Sequence, residues 1–286
     1  MIPLTLLYAP GDRSDLVRKA IAGPADVVII DLEDAVAPDH KSAARAALPE
    51  LASDNSRPVR VRVNAIGTPW HSDDVDAVAG LPDAVGLLLP KAEHPEEVAS
   101  LVAALPGRAV HLLIESAIGV EAAFQLASAG VASIALGEAD LGADLGCDEA
   151  GLAFSRSRVI VAARAAGLPA PVMSVYPNIR DINGLIASCR EGRALGFRGR
   201  SAIHPSQLGP IRDAFMPTGA EIAQARAVME RFTTAADEGR GALAMPDGSF
   251  IDLALTVRYR EILELAECGR ETLGQSSEVE LGGQDG

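Results

Sequence analysis

Residues 27–34 of this chain read Val-Val-Ile-Ile-Asp-Leu-Glu-Asp, an apolar, β-branched run that ends in three carboxylates. A short apolar run bounded by polar residues is typical of a strand buried on both faces of a parallel sheet. Similar runs recur at intervals of roughly 25 to 30 residues. The sequence therefore predicts eight strands: Leu4–Tyr8, Val27–Leu32, Val59–Val63, Val85–Leu89, Val110–Ile114, Ser133–Leu136, Val172–Tyr176 and Ser201–Ile203.

Ala-rich stretches with helical patterning separate most of these runs: Arg13–Ala22, Lys41–Leu51, Pro95–Leu105, Val120–Ala127, Leu152–Ala166 and Ile179–Leu195. Eight strands that alternate with helices predict an α/β protein of the (β/α)8 TIM-barrel type. An open doubly wound sheet is the alternative, and it is disfavoured because no Gly-x-Gly-x-x-Gly follows the first run.

We predict that the barrel covers residues 1–216 and is followed by a C-terminal helical extension or lid over residues 217–273. After Gln207 the strand pattern stops, and Ala220–Thr233 and Ile251–Glu267 read as helices joined by the turn-rich segment Gly239–Ser249. The last residues, 274–286, have the composition of a disordered tail.

Composition restricts the function classes. The chain has 286 residues, of which 48% are apolar and 22% charged, and no apolar run is long enough to span a membrane. Its first residues lack the basic start of a signal peptide, so we expect a cytoplasmic protein. A net charge of −14 argues against nucleic acid as a partner. The widely spaced Cys147, Cys189 and Cys268 predict neither disulfides nor a cysteine metal site.

Polar residues follow the ends of the predicted strands, where a barrel of this type builds its active site. A single carboxylate at such a position is often a helix N-cap, but several at one barrel mouth would repel one another without a cation. Glu115 and Asp140, after adjacent strands, offer hard oxygen ligands that suit Mg²⁺, with Mn²⁺ as an alternative. Zinc is disfavoured because no Cys ligand or His-x-x-x-His pair is present.

At these positions the chain resembles the citrate lyase beta-subunit family, within the HpcH/HpaI aldolase/citrate lyase superfamily of citryl-CoA, citramalyl-CoA and malyl-CoA lyases. The matching motifs span nearly the whole predicted barrel in the expected order: Ala9–Arg13, Asp31–Val36, Arg62–Asn64, Leu89–Lys91, Ile114–Ser116, Gly137–Gly146 and Ala202–Gln207. The set is specific for the family and only weakly specific for the substrate.

The resemblance implies roles for individual residues. Glu115 and Asp140 match the magnesium ligands, and Arg62 matches the clamp for an oxo-acid carboxylate, a role that suits the fixed fork of a guanidinium. The resemblance also implies that Asp252 covers the active site of a neighbouring subunit and serves as acid/base in a homo-oligomer, a trimer or hexamer. Helix N-capping is the alternative for Asp252.

Further substrate contacts are expected around these groups. Arg13 follows a Pro-Gly turn at a predicted helix start, which favours a substrate carboxylate or a coenzyme A phosphate; a surface ion pair is its alternative. Glu33, together with Asp34, is expected near the waters of the metal. Gly137 and Glu138 complete the predicted substrate contacts.

Two further residues receive structural interpretations. His204 fits a hydrogen-bonded turn better than a catalytic base, and Lys91 fits an ion-pair partner of the carboxylates better than a Schiff-base lysine.

The chain also departs from the family. Met173–Asn178 stands where the family often carries two carboxylates on strand seven, and Leu4-Thr5 replaces the usual Arg-Ser. The resemblance implies a magnesium-dependent carbon–carbon lyase that cleaves a 3-hydroxy-3-carboxy-acyl thioester, such as a coenzyme A ester, into an acyl thioester and an oxo-acid such as oxaloacetate, pyruvate or glyoxylate. The alternatives are an aldolase for free 4-hydroxy-2-oxo-acids, a malate synthase or thioesterase activity, and a catalytically weak metabolite-binding subunit.

Overall fold

The computed structural model describes residues 3–52, 57–237, 242–244, 250–253 and 256–267. These residues form two compact units whose boundary in the sequence lies between Phe215 and Met216. The predicted tail at 274–286 and Cys268 lie outside the described residues.

The first unit is built on a parallel sheet of seven strands, in the order β6-β5-β4-β3-β2-β1-β7. This arrangement confirms the predicted α/β class. Every residue of β2, β4 and β5 is buried, as expected for strands covered on both faces. The strands are β1 (Thr5–Pro10), β2 (Val27–Asp31), β3 (Val59–Arg62), β4 (Gly86–Leu89), β5 (Val110–Ile114), β6 (Ser133–Leu136) and β7 (Arg200–Ala202).

Helices connect the strands of this unit: α1 (Ser14–Ala22), α2 (Lys41–Leu51), α3 (His71–Ala79), α4 (Pro95–Ala104), α5 (Ala117–Glu121), α6 (Ala123–Ala127), α7 (Glu138–Leu145), α8 (Ala153–Ala165), α9 (Ile182–Leu195) and α10 (Leu208–Phe215). The boundaries of α9 follow from its sequence. The Asp181 carboxylate accepts a hydrogen bond from the Gly184 N–H at the start, and Gly196, with φ +116°, takes the left-handed conformation that ends the helix.

Side chains from several strands meet in one apolar cluster on the inner face of the sheet. Leu6, Val27, Ile29, Leu88, Leu113 and Ala135 are buried there, with Tyr8 and Val172 packed against them. In-register pairing of Pro10 with Asp31, and of Asp31 with Arg62, aligns the carboxyl ends of β1, β2 and β3. The residues that follow these strands are therefore neighbours.

The predicted strand Val172–Tyr176 is reduced to a single parallel bridge between Met173 and Arg200. Its sequence is enclosed by Pro171 and Pro177, and proline supplies no N–H to a ladder. On the side of β6, the hydrogen bond that reaches this segment is donated by the Glu138 N–H to the Ser174 Oγ at 3.2 Å.

The second unit contains α11 (Gly219–Asp237), the antiparallel pair β8 (Ala242–Ala244) and β9 (Phe250–Asp252), and helical residues 256–267. Its core includes Val228, Phe232 and Ile251, with Tyr259 packed against them. The expectation that no strand follows Gln207, and that Ile251–Glu267 is one helix, is therefore wrong for residues 250–252. The sequence Pro246-Asp247-Gly248 between two short apolar segments is a hairpin signal that outweighs helical patterning.

In the part of the chain that the structure describes, no helix combines the length and the apolar character needed to cross a membrane.

Candidate active site

A cavity of about 450 Å³ opens at the carboxyl ends of the strands in the first unit. This is the end at which the sequence places the active site of a barrel. The cavity is lined by Tyr8, Pro10, Asp31, Asp34, Ala35, Arg62, Leu113, Glu115, Ala135, Leu136, Gly137, Ala139, Asp140, Met173, Ser174, Val175, Ser201 and Ile203.

Arg62 is the central cation of this cavity. Its Nε donates to Asp31 Oδ1 at 2.8 Å and its Nη2 donates to Asp31 Oδ2 at 2.6 Å, a bidentate pair that follows from the register of β2 and β3. Its Nη1 lies 2.9 Å from Glu33 Oε2 and 3.5 Å from Asp34 Oδ2. Burial alone would lower the pKa of Arg62, but the contacts with Asp31 outweigh burial and raise it. Arg62 is thus a fixed positive charge, which an incoming carboxylate would share with Asp31.

Lys91 joins the two acidic sides of the cavity. Its Nζ lies 2.6 Å from Glu33 Oε1 and 3.2 Å from Asp140 Oδ2, while its backbone N–H donates to Glu115 Oε2 at 2.9 Å. The backbone of Lys91 has φ +51°, an uncommon value for a residue with a side chain. These contacts confirm Lys91 as an ion-pair partner of the carboxylates.

Glu115 is buried, and its carboxylate lies against the backbone of Gly137. A Cβ at position 137 would stand 2.0 Å from Glu115 Oε1, so only glycine leaves room for this carboxylate at the end of β6. Burial, and then the charge of Glu33, raise the pKa of Glu115 to about 7. A carboxylate whose ionised form is disfavoured in this way would be stabilised by an added cation.

Glu33 also lacks full compensation for its charge. Burial raises its pKa. Its Oε2, although close to Arg62, has no aligned hydrogen bond to any described residue. An acceptor of this kind could take a hydrogen bond from a metal-bound water, which fits the role expected for Glu33.

Hydrogen bonds from Lys41 hold the loop after β2 in place, and the sequence analysis did not identify this residue. Its Nζ donates to the carbonyl oxygens of Leu32 and Glu33, both at 2.8 Å, and lies 5.0 Å from the ring centroid of Trp70. The sequence gives only a weak signal for this role, the position of Lys41 ten residues after Asp31, because a lysine at the start of a helix is usually exposed to solvent.

Two predicted substrate contacts have other partners in the structure. Arg13 does not line the cavity, is exposed, and pairs with Asp15 at 3.3 Å. Glu138 forms a bidentate pair with Arg156, at 2.8 and 2.7 Å, so its backbone N–H, and not its carboxylate, faces Ser174.

His204 behaves as the structural interpretation expects. Its Nδ1 is hydrogen-bonded to the hydroxyl of Ser206 at 2.7 Å and accepts from the Ser206 N–H at 3.2 Å. Asp252 belongs to the second unit, where it pairs with Ala242 in the antiparallel pair of β8 and β9 and lies close in sequence to the exposed Phe250 and Leu253.

The side of the cavity formed by residues 173–175 and β7 is uncharged. Met173 packs so closely on α9 that a Cβ at Gly192 would lie 2.1 Å from its Sδ. The neighbouring Arg200 is buried and points away from the cavity: its Nε donates to the Ser174 carbonyl at 2.9 Å and its Nη1 to the Ser188 Oγ at 2.9 Å.

The charges at the cavity do not balance. Among the residues that line the cavity, Asp31, Asp34, Glu115 and Asp140 supply four carboxylates and Arg62 supplies one cation, a formal excess of three negative charges. Carboxylate oxygens are the ligands that Mg²⁺ prefers. A divalent cation would offset this excess, and Glu115 and Asp140, which both line the cavity, are its candidate ligands. In the described part of the chain, no three His, Cys, Asp or Glu side chains are grouped closely enough to hold a metal ion by themselves, so water or substrate would complete the coordination.

The sequence model of the HpcH/HpaI aldolase/citrate lyase family matches residues 4–205. A (3S)-malyl-CoA thioesterase from Cereibacter sphaeroides is 35% identical over 271 residues, which cover 92% of this chain and 94% of that protein. A citrate lyase subunit beta-like protein from Mycobacterium tuberculosis is 36% identical over 270 residues, covering 91% of this chain and 94% of that protein.

The fold has a counterpart among solved structures. The crystal structure of the protein CitE from Mycobacterium tuberculosis, in complex with magnesium, acetoacetate and coenzyme A, matches with a TM-score of 0.82 at 34% sequence identity. The match covers 93% of this chain and 98% of that chain.

Proposed function

The chain belongs to the HpcH/HpaI aldolase/citrate lyase family, and from that premise we propose that it is a magnesium-dependent carbon–carbon lyase for a 3-hydroxy-3-carboxy-acyl thioester. Cleavage would release an acyl thioester, with coenzyme A as the carrier, and a 2-oxo-acid. The observation that carries this proposal is the uncompensated carboxylate cluster at the mouth of the cavity.

Glu115 and Asp140 are the proposed metal ligands. Both line the cavity, and Lys91 contacts both of them. Magnesium bound there would lower the pKa of a substrate hydroxyl and stabilise the negative charge that develops on it. The Oε2 of Glu33 accepts no hydrogen bond from the described residues, so it would accept one from a water bound to the metal.

Arg62 would hold the carboxylate of the oxo-acid half. Its guanidinium lines the cavity and is held in one orientation by two hydrogen bonds to Asp31, so its charge is positioned before substrate arrives. Arg13, exposed at the start of α1, remains a candidate for a phosphate of the carrier. Gly137 and Glu138 would act through their backbone, because the carboxylate of Glu138 is taken up by Arg156.

The reaction needs two proton transfers. The substrate hydroxyl would give its proton to Asp252, the proposed acid/base, as the carbon–carbon bond breaks, and the electron pair of that bond would remain on the thioester half as an enolate. Asp252 would then deliver this proton to the enolate carbon. Phe250, Leu253 and Val257 near it are large apolar residues that remain exposed, which suits docking onto another copy of the chain in a trimer or hexamer.

Subunit exchange tests the role of Asp252. Inactive Asp252→Asn subunits mixed with inactive Glu115→Gln subunits should regain part of the activity, because some sites in the hybrid oligomers would contain both intact groups. If exchange is demonstrated and no activity returns, Asp252 does not act across subunits.

We also propose that the first unit closes as a (β/α)8 barrel. The segment around Met173 would take the place of the eighth strand, between β7 and β6. The bridge to Arg200 on one side and the hydrogen bond from Glu138 to Ser174 on the other support this closure. Residues 217–273 would then form the extension that carries Asp252.

The decisive experiment is a thioester-cleavage assay on citryl-, citramalyl- and malyl-coenzyme A with separate detection of oxo-acid and free thiol. We expect oxo-acid to form in the presence of Mg²⁺ or Mn²⁺ and not after EDTA treatment. Glu115→Gln and Asp140→Asn should abolish metal binding and turnover while leaving the unfolding transition cooperative. Full turnover by metal-free protein would contradict the proposal.

Thioester hydrolysis is the second candidate, favoured by the 35% identity to a (3S)-malyl-CoA thioesterase. The same assay separates the two reactions. Hydrolysis releases free thiol without any oxo-acid, whereas carbon–carbon cleavage releases oxo-acid without free thiol.

A further inference from the structure

The segment from Asp31 to Glu33 carries two carboxylates on which the proposed site depends. Asp31 holds the Arg62 guanidinium through two hydrogen bonds, and the Glu33 Oε2 lies 2.9 Å from the same guanidinium. Because β2 ends at Asp31, the residues that follow it need contacts outside the regular strand pairing to hold their position.

Asn64, two residues after the end of β3, supplies one of these contacts. Its Nδ2 donates a hydrogen bond to the Leu32 carbonyl oxygen at 3.0 Å and so joins the end of β3 to the segment after β2. The Asn64 side chain is buried and does not line the cavity. Its amide therefore acts on the protein segment and not on substrate.

Asp74 of α3 fixes the orientation of the Asn64 amide. Its Oδ2 accepts from the Asn64 N–H at 2.9 Å and from the Asn64 Nδ2 at 2.6 Å, while its Oδ1 accepts from the Arg45 Nε at 2.8 Å. A carboxylate can only accept hydrogen bonds, so the Asn64 amide must turn its NH₂ group, and not its carbonyl, toward Asp74. The same NH₂ group then reaches the Leu32 carbonyl.

From these contacts we propose that Asp74 is a positioning residue of the active site, which acts through Asn64 on the segment from Asp31 to Glu33. Asn64 holds Leu32, and the residues on either side of Leu32 keep their carboxylates on Arg62. The inference rests on the proposed function and adds to it a fully buried residue that does not line the cavity.

Lys41 does not replace the contact that Asn64 makes. Its ammonium also donates to the Leu32 carbonyl, so this oxygen accepts one hydrogen bond from each of two side chains. An ammonium on a four-carbon stem holds its acceptor loosely. The Asn64 side chain is short and is bonded to Asp74 through both its backbone N–H and its amide. Loss of the contact from Asn64 would therefore leave Leu32 free to shift.

Two variants interrupt the connection at different points. Asp74→Asn keeps the shape of the side chain but cannot accept from both Asn64 and Arg45, because one of its two oxygens becomes an NH₂ donor. Asn64→Ala removes the donor to Leu32 and leaves Asp74 bonded to Arg45 and to the backbone N–H of residue 64. If Asp74→Asn does not fold, Asn64→Ala still tests the connection.

Mn²⁺ affinity, followed by electron paramagnetic resonance, and pyruvate affinity of the magnesium-loaded full chain, from isothermal titration, are the two measurements. Each variant should bind both probes about 10- to 100-fold more weakly than the wild type, the effect of losing a contact around a metal site. Wild-type affinities for both probes in Asn64→Ala would overturn the inference.

Asp26→Asn is the matched control. The Asp26 carboxylate accepts from the N–H groups of Leu4 and Thr5, both at 2.9 Å, and pairs with Arg212, but it precedes β2 and so lies at the end of the sheet opposite the cavity. Its replacement should lower the free energy of unfolding and leave both affinities unchanged. Affinities that fall as far as in Asp74→Asn would show that only general stability is involved and would overturn the inference.

The outcomes for this inference differ from those for the proposed function. Unchanged affinities in the variants of Asp74 and Asn64, combined with thioester cleavage by the wild type, overturn the positioning role and leave the lyase intact. Weaker binding of both probes in these variants but not in Asp26→Asn, combined with no cleavage by the wild type, supports the positioning role and overturns the lyase.

Discussion

Replacing Gly137 with alanine is expected to displace Glu115 and weaken metal binding without disturbing the backbone. A Cβ at position 137 would lie 2.0, 2.3 and 2.5 Å from the Oε1, Cγ and Cδ of Glu115. Ordinary contact begins at 3.4 Å, so the carboxylate would have to retreat by about 1.4 Å. Gly137 has φ −99°, which alanine adopts freely, so the steric contact is the perturbation.

The size of the effect follows from what Glu115 would lose. A retreat of this length would break its 2.9 Å hydrogen bond from the Lys91 N–H. Overpacking of a buried site costs about 1–3 kcal/mol in the free energy of unfolding. Loss of a contact that orients a metal ligand lowers metal affinity by about 10- to 100-fold. Both effects should therefore appear in Gly137→Ala.

Titration with Mn²⁺, followed by electron paramagnetic resonance, measures the affinity, and urea unfolding of the metal-free protein measures the stability. Gly209→Ala is the matched control, because Gly209 lies in α10 with open space where its Cβ would be. That substitution should leave Mn²⁺ affinity unchanged and raise stability by about 0.4–1 kcal/mol. Wild-type Mn²⁺ affinity and stability in Gly137→Ala would refute the reasoning.

Three further predictions concern charges inside the first unit. Arg62→Lys should weaken oxo-acid binding by about 1.5–3 kcal/mol, because an ammonium cannot keep two aligned hydrogen bonds to Asp31 and also bind the substrate carboxylate; unchanged affinity in isothermal titration would show that Arg62 does not bind the oxo-acid. Lys91→Met removes a cation 3.2 Å from Asp140, so Mn²⁺ should bind about tenfold more tightly, and weaker binding would contradict a competition between Lys91 and the metal. Burial, and then the charge of Arg60, lower the pKa of His111 to about 3 from 6.5, so the stability tied to its neutral form is complete above pH 6.5 and is lost as the pH falls toward 3. Between pH 6.5 and about 5, the free energy of unfolding of the wild type should drop by about 2 kcal/mol relative to His111→Gln. Urea unfolding at several pH values measures both proteins, and the same pH dependence in both would contradict this prediction.

Local sequence determined the elements of the first unit and the end of the sheet that carries the site. Short β-branched runs such as 27–31 form strands because their apolar side chains must be buried on both faces. Since all strands of the seven-stranded sheet are parallel, polar residues that follow these strands must collect at one edge. The acidic character of the cavity, and Glu115, Asp140 and Arg62 within it, could be predicted on this basis.

Two errors of the sequence analysis have physical causes that the structure identifies. The segment around Met173 keeps only one bridge because prolines on both sides withhold N–H groups from the ladder. Residues 250–252 form a strand and not a helix because a strand partner in β8 is available to them. Pairing of this kind depends on residues outside the local window from which helical patterning is judged.

Only the tertiary structure decided which charges meet. The register of β2 and β3 places Asp31 against Arg62, and the left-handed backbone of Lys91 lets one residue serve Glu115 through its N–H and Asp140 through its ammonium. The same motif that marked Glu138 as a substrate contact leaves its carboxylate on Arg156. A sequence records residue types and spacing along the chain, whereas hydrogen-bond partners are set by distances of about 3 Å between strands and helices that are remote in sequence.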